Sequence, residues 1–120
     1  MHYVIIAGSR TFDDYDLLAR KMDHLTQNLD EIEVVSGGAR GADELGERWA
    51  RERGHQLRIF PADWNRFGKQ AGFIRNAQMA GYATHLVAFF DGSSAGTKHM
   101  IQLAKKYNLK LRIIHFRRQS

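Results

Sequence analysis

Three short segments of this sequence combine glycines with residues that can bind an anion. They are Gly8-Ser9-Arg10, Ser36-Gly37-Gly38-Ala39-Arg40-Gly41-Ala42-Asp43 and Asp91-Gly92-Ser93-Ser94-Ala95-Gly96-Thr97. Glycine lets the backbone come close to a ligand, and the N-terminus of a following helix supplies free N–H groups and a partial positive charge. Because each segment follows a strand-like apolar run, a ligand that carries phosphate is the leading interpretation.

Charged and hydroxyl side chains in these segments have a structural interpretation beside the functional one. The guanidinium of Arg10 can grip a phosphate through two parallel hydrogen bonds, or it can simply be exposed on a tight turn. Asp43 and the serines before Thr97 can contact a ligand, or they can only cap the helices that begin there. Capping and anion binding are compatible, since one hydroxyl can cap while the backbone binds the anion.

Two further pairs of residues suit the rest of a nucleotide. Asp63 and Trp64 follow the third predicted strand, where the carboxylate suits a sugar hydroxyl and the indole suits a stacked base. The alternative is a tryptophan that folds back as a hydrophobic plug. Arg75 and Asn76 lie near the start of a predicted helix and should face the same crevice, unless the arginine is solvated and makes only local contacts.

Together these segments define a predicted site. The predicted ligand-binding residues are Gly8, Ser9, Arg10, Gly37, Gly38, Ala39, Arg40, Gly41, Asp43, Asp63, Trp64, Arg75, Asn76, Gly92, Ser93, Ser94, Gly96 and Thr97. If the protein is an enzyme, the predicted catalytic residues are Arg75, Asp63 and Asp91, because cleavage needs an acid or base and a cation that holds phosphate.

Several established site types do not fit the sequence. The second glycine segment lacks the Gly-Lys-Ser/Thr ending of a P-loop and the glycine spacing of the dinucleotide fingerprint. No Gly-x-Ser-x-Gly elbow is present, there is no cysteine, and the six histidines do not have zinc-site spacing. We therefore expect no metal and no resident cofactor.

Length and composition predict one soluble domain over residues 1–120. The chain has 120 residues, 43% of them hydrophobic, and a net charge of +5. A basic balance favours anionic ligands or polyanionic partners, although part of it lies in a tail that holds Arg112, Arg117 and Arg118. No apolar run reaches the roughly 20 residues that span a bilayer, and a strand begins almost at the N-terminus. We expect no signal peptide, no membrane contact and a cytoplasmic location.

Strand-like and helix-like patterns alternate along the chain. Short apolar runs predict strands at residues 3–7, 31–35, 55–60, 85–90 and 110–115. Apolar spacing of three and four predicts helices at 13–29, 42–53, 73–82 and 95–107, ended near Gly54, Gly81 and Asn108. Residues 61–72 form an irregular loop that could hold a helical turn, and Phe60, Phe73, Phe89 and Phe90 are predicted core residues.

This alternation predicts an α/β fold, an open doubly wound parallel sheet of about five strands flanked by helices. In such Rossmann-like sheets ligands bind beyond the carboxyl ends of the strands, where the strand order switches. The three glycine segments and the loop after the third strand all follow strand ends, so they should meet in one crevice.

The same motifs, in this order, resemble the SLOG superfamily, which joins the DNA-processing Smf/DprA proteins with the Lonely Guy phosphoribohydrolases. The chain is most similar to the small single-domain YspA-like, YpsA-related branch. The three glycine segments, Pro61-Ala62-Asp63-Trp64 and Ala71-Gly72-Phe73-Ile74-Arg75-Asn76 carry the resemblance over nearly the whole domain. It implies a Rossmann-like fold, a nucleotide or nucleotide-derived ligand, and assembly as a homodimer.

One departure from that superfamily bears on catalysis. Lonely Guy enzymes carry Pro-Gly-Gly-x-Gly-Thr-x-x-Glu, whose glutamate works in cleavage of the N-glycosidic bond. Here Gly96 and Thr97 match, but Met100 stands at the glutamate position. Arg75 matches the arginine of their Arg-Lys pair, whereas Asn76 replaces the lysine. A carboxylate from elsewhere would be needed, and Asp63 and Asp91 are the first choices.

Three functions follow as hypotheses. The first is a nucleotide-binding domain that acts as a sensor, carrier or sequestering protein. The second is a hydrolase that cleaves an N-glycosidic or phosphoester bond in a nucleotide. The third, which the basic charge supports more weakly, is a module that binds single-stranded nucleic acid.

Overall fold

The computed structural model describes residues 1–117 and places five strands and five helices along the chain. The strands are β1 (His2–Gly8), β2 (Ile32–Ser36), β3 (Gln56–Ile59), β4 (His85–Phe90) and β5 (Lys110–His115). The helices are α1 (Tyr15–Leu25), α2 (Ala42–Glu52), α3 (Trp64–Phe67), α4 (Ala71–Tyr82) and α5 (Ala95–Lys106). A 3₁₀ turn over Gly68–Gln70 joins α3 to α4.

All five strands are parallel, in the order β3-β2-β1-β4-β5. The chain winds outward from β1 to β3, crosses back to β4 on the other side of β1, and continues to β5. The order therefore switches between β1 and β4, and these two strands pair from Val4 with His85 to Gly8 with Phe89. The predicted open, Rossmann-like α/β sheet is confirmed.

Helices cover both faces of the sheet and bury two separate apolar cores. Side chains of α1 and α2, among them Leu18, Met22 and Trp49, pack on one face. Side chains of α4 and α5, among them Met79 and Met100, pack on the other. Both faces of β1 are thus buried, which explains its continuous run of apolar residues. Over residues 1–117, none of the helices is both long and apolar enough to cross a lipid bilayer.

Most differences between predicted and observed elements lie at the helix ends. Helix α1 begins at Tyr15, because the side chain of Asp14 accepts a hydrogen bond from the Leu17 N–H and caps it. It ends at Leu25, four residues earlier than the apolar spacing predicts. The left-handed residue predicted at Asn108 is confirmed by its φ of 58°.

The start of α4 and the positions of Phe73 and Arg112 also differ from the prediction. The helix begins at Ala71, two residues before the prediction, and ends at Tyr82, next to Gly81, as predicted. Phe73 is 49% exposed rather than in the core, because it lies on the side of α4 that faces away from the sheet. Arg112 lies within β5 and not in a tail, whereas Arg118 lies outside the described residues.

The glycine at position 46 lets α2 lie directly on β1, and this contact can be tested. A Cβ at Gly46 would lie 2.7 Å from Cγ2 of Ile6, whereas one at Gly81 would meet nothing within 4 Å. We expect Gly46→Ala to lower the free energy of unfolding by about 1–3 kcal/mol through overpacking. The matched control Gly81→Ala should leave it unchanged or raise it by up to about 1 kcal/mol. Urea unfolding measures both, and equal stability of the two variants would contradict this packing.

Candidate functional site

A crevice opens at the carboxyl ends of β1 and β4, at the switch in strand order. Its volume is about 340 Å³. Polar side chains from five segments surround it, and Met79 and Met100 form its apolar floor. The lining residues that the sequence predicts are Gly8, Ser9, Arg10, Ala39, Asp43, Arg75, Asn76, Asp91, Ser93, Ser94, Gly96 and Thr97.

The turn after β1 holds the crevice together. The N–H of Ser9 donates to the Phe89 carbonyl at 3.0 Å, and the Ser9 carbonyl accepts from the N–H of Ala42 at 3.3 Å. Ser9 is buried and therefore joins β1, β4 and the start of α2. Arg10, the next residue, is exposed at the mouth of the crevice.

The glycine segment after β2 is shaped by its own chain rather than left open for a ligand. The N–H of Gly38 donates to Oγ of Ser36 at 3.1 Å, and the N–H of Ala39 donates to Oδ2 of Asp43 at 3.2 Å. Ser36 in turn donates to Oε2 of the buried Glu47 at 2.7 Å. These two amides already have acceptors, so the segment contributes chiefly the position of Asp43.

Arg75 reaches from α4 across the crevice to this segment. Its Nη1 donates to the carbonyl of Gly37 at 2.5 Å, and its Nε donates to Oδ1 of Asn76 at 3.0 Å. A Cβ on Gly37 would lie 2.8 Å from Nη1 of Arg75 and 2.9 Å from Oδ2 of Asp43. Glycine at position 37 leaves room for two charged side chains of the protein itself, and a larger residue would displace the ends of both.

The charges of Asp43 and Arg75 face each other in a poorly solvated place. Burial raises the pKa of Asp43 to about 6, against the opposing effects of the Ala39 N–H and the Arg75 charge. Burial likewise lowers the pKa of Arg75, and the nearby positive charge of Arg10 lowers it further, whereas Asp43 raises it. Asp43 therefore changes its charge close to neutral pH.

The start of α5 closes the opposite side of the crevice. Oγ of Ser94 accepts from the N–H of Thr97 at 3.3 Å and caps the helix. Asp91 accepts from the N–H groups of Ser93 and Ser94, and these hydrogen bonds, that of Ser93 foremost, lower its pKa. First-turn N–H groups of a helix have no acceptor within the helix, and this first turn contains no acidic residue. It therefore presents a partial positive charge to the crevice.

A second cavity, of about 800 Å³, adjoins the first, and Arg10, Thr11, Ala39 and Arg75 line both. It brings in four more residues of the predicted site, Gly37, Gly38, Arg40 and Trp64. Trp64, at the rim of this cavity, is 53% exposed, so its ring does not fold back as a hydrophobic plug.

Three residues of the predicted site line neither cavity. Asp63 is exposed and caps α3, accepting a hydrogen bond from the Arg66 N–H at 3.1 Å. Gly41 has a φ of 75° and packs against the backbone of Ser9 and Arg10, and Gly92 forms a turn with a φ of 94°. The glycines thus shape the crevice from behind.

One polar residue at this site escapes the sequence patterns. Nδ1 of His99 lies 3.2 Å from Nδ2 of Asn76, and the His99 ring packs edge-on against Phe73 at 4.7 Å between ring centroids. A histidine two residues after a glycine segment carries no recognisable motif. Met100 stands at the position where the Lonely Guy motif has its glutamate. It is buried at the floor of the crevice and makes that position apolar.

The raised pKa of Asp43 predicts how stability depends on pH. Below the pKa of an unfolded aspartate, about 3.9, both states hold the proton. Between there and about 6 only the folded state holds it, so the free energy of unfolding should fall as pH rises and level off above 6. This decline in the free energy of unfolding should be on the order of 3 kcal/mol. Asp43→Asn keeps an acceptor for the Ala39 N–H but cannot ionise, so the decline should be absent in this variant. Urea unfolding from pH 4 to 7 measures this, with the exposed Asp13→Asn as control; parallel curves for Asp43→Asn and wild type would contradict it.

Comparison with known proteins agrees with this architecture. The model of the YspA, cpYpsA-related SLOG family (YAcAr) matches residues 2–67. The Gene 61 protein of Mycobacterium phage D29 is 39% identical over 116 residues, which cover 88% of this chain and 90% of that protein.

Solved structures extend the comparison to the fold. DNA processing protein A (DprA) from Streptococcus pneumoniae superimposes with a TM-score of 0.72 at 17% identity, over 93% of this chain and 49% of that one. The present chain thus spans about half the length of DprA. A predicted subunit of tRNA methyltransferase from Methanocaldococcus jannaschii has a TM-score of 0.48 at 12% identity, over 94% of this chain and 67% of that one. Because the family model matches more than half of its residues, and the phage protein is 39% identical over most of both chains, the chain belongs to the YspA, cpYpsA-related family of SLOG proteins.

Proposed function

We propose that the crevice binds a nucleotide or nucleotide-derived ligand through its phosphate, and that the protein acts as a sensor, carrier or sequestering domain. The observation that carries the proposal is the convergence of Arg10, Arg75 and the start of α5 on one cavity. Two guanidinium groups and the N-terminus of a helix form a strongly anion-selective surface.

Arg75 is already oriented for this task. Its Nε and Nη1 atoms hold the side chain in place on Asn76 and Gly37. Among the described residues, its Nη2 atom donates no hydrogen bond, so that group is available to a phosphate oxygen. A side chain held in advance loses less conformational entropy on binding, which favours affinity.

The second cavity suits the remainder of a nucleotide. Arg10 and Arg75 lie on the boundary between the two cavities, and the exposed ring of Trp64 stands at the far rim. A base can stack on an indole face while its phosphate stays between the arginines. Asp63, which lines neither cavity, would meet such a ligand only at its edge.

Removing the charge of Arg10 tests the proposal with little risk to the fold, because this side chain is exposed. Calorimetry against nucleoside mono-, di- and triphosphates, ADP-ribose derivatives and cyclic dinucleotides should identify a ligand. Arg10→Gln should then weaken its binding about 10- to 100-fold, the effect of a lost hydrogen bond between charged groups. The control Arg20→Gln removes the same charge from an exposed position on α1 and should bind like wild type. Absence of binding across the panel, or equal losses in the two variants, would refute the proposal.

Cleavage of the bound nucleotide is the second candidate function, and the titration of Asp43 favours it. This buried carboxyl lies in the crevice beside Arg75 and has a pKa of about 6. Such a group can activate water or protonate a leaving group near neutral pH. Arg75 would hold the phosphate, and Asp91, kept ionised by its hydrogen bonds, would stabilise positive charge that develops on the sugar.

Chromatography of nucleoside monophosphates incubated with the protein tests cleavage. We expect wild type to release free base, Asp43→Asn to lose about 100-fold or more of that activity, and the exposed Asp63→Asn to keep it. Loss of activity in Asp63→Asn alone would transfer the catalytic role to Asp63, as the sequence predicts. Release of neither base nor nucleoside by wild type would contradict cleavage and leave binding to the calorimetric test.

Nucleic acid is a further ligand class that the same surface admits, and a gel shift at low salt with steep salt dependence would reveal it.

Assembly as a homodimer and a cytoplasmic location stay predictions of the sequence. The exposed rings of Phe67 and Phe73 on α3 and α4 supply apolar surface for a partner copy, and sedimentation equilibrium measures whether a dimer forms.

A further inference from the structure

Three side chains connect the packing between α4 and α5 to the crevice. Nε of Arg75 donates to Oδ1 of Asn76 at 3.0 Å, and Nδ2 of Asn76 lies 3.2 Å from Nδ1 of His99. Asn76 is buried, so its amide has these two partners in place of water.

The chemistry of the three groups permits only one arrangement of protons. Nε of arginine can only donate, so the amide atom that faces it must be the oxygen of Asn76. The NH₂ group of Asn76 therefore faces His99, and Nδ1 of that ring must accept. Only a neutral imidazole with its proton on Nε2 can do so.

We propose that His99, in its neutral form, is a positioning residue for Arg75: it orients the Asn76 amide, which in turn holds the guanidinium in the crevice. Protonation of His99 places two donors face to face. If the amide then rotates to offer its oxygen to His99, its NH₂ group faces the Nε donor of Arg75 instead. Without rotation, the hydrogen bond between Asn76 and His99 is lost and the Asn76 amide loses its support. With rotation, the hydrogen bond between Arg75 and Asn76 is lost instead. In both arrangements the guanidinium is held less firmly. The inference rests on the proposed role of Arg75 in phosphate binding.

The surroundings of His99 favour the neutral ring. Phe73 packs against it from α4, and burial lowers the pKa of His99 below its usual range. The charged groups near this chain of contacts are Arg75 beyond Asn76, Lys98 beside His99 on α5, and Asp43 across the crevice.

The sign of the pH effect separates positioning from simple electrostatics. If His99 positions Arg75, the affinity for an anion should fall as pH decreases through the His99 pKa, because the ligand favours the neutral ring. If His99 acted only through its charge, protonation would strengthen anion binding. Asp43 also gains a proton in this range and would strengthen binding as its charge disappears, so the titration belongs in an Asp43→Asn background.

The first test needs no ligand. NMR of the ¹⁵N-labelled protein follows the Nε–H signal of Arg75 and the side-chain amide of Asn76 while the His99 ring titrates. We expect both signals to move with the apparent pKa of His99, and the Arg75 Nε–H to lose protection from exchange after correction for pH. Both changes should be absent in His99→Phe, which keeps a ring against Phe73. An Arg75 signal that ignores the titration would overturn the inference.

The second test measures binding of inorganic pyrophosphate by calorimetry at pH 5 to 8, with all variants in the Asp43→Asn background. His99→Gln offers a pH-independent acceptor and should bind within about twofold of the parent at pH 8. Pyrophosphate itself gains a proton at low pH and weakens in every variant, so the parent should lose more affinity than His99→Gln between pH 8 and 5. His99→Phe offers no acceptor and should bind about two- to tenfold more weakly at every pH. Equal binding by the parent and both variants would contradict positioning. If the parent fails to bind pyrophosphate, the proposed phosphate site fails, and the NMR test still decides the role of His99.

Discussion

The crevice depends on one long-range contact, the hydrogen bond from the Arg75 guanidinium to the Gly37 carbonyl. It joins the loop after β2 to α4, across the point where the strand order switches. Glycine at position 37 leaves space for the arginine and for the carboxylate of Asp43, which both lie beside it. The glycine-rich segment thus serves the internal architecture first, and any ligand meets a surface that this contact has already shaped.

Burial shifts the pKa values of the charged groups around that contact. Asp43 has lost enough water to titrate near neutral pH, and the partly buried Arg75 keeps one nitrogen for a ligand. A phosphate placed between Arg75 and the start of α5 would be attracted by both and repelled by an ionised Asp43. The protonation state of Asp43 therefore changes the net charge that the crevice presents near neutral pH.

The strands and helices could be predicted because each of them is specified by a pattern among residues that are close together in the chain. The apolar runs of β1 and β4 reflect burial on both faces, and the helix spacing of α2 and α5 follows from their single buried face. Helix ends were harder to predict, since α1 stops at Leu25 although its apolar spacing continues to Leu29, and α4 begins two residues before the predicted start. Phe73 was placed wrongly in the core because its hydrophobicity carries no information about which side of α4 the sheet covers.

Alone, the sequence determined the α/β class, the order of the motifs and the edge of the sheet where they meet, because residues close in the chain specify strands, turns and helices. The tertiary structure decided which residues share the crevice. It excluded Asp63 from both cavities, gave the titrating role to Asp43, and joined His99 to Arg75 through Asn76. These outcomes depend on desolvation and on contacts between residues far apart in the chain, such as Gly37 and Arg75, which local spacing does not encode.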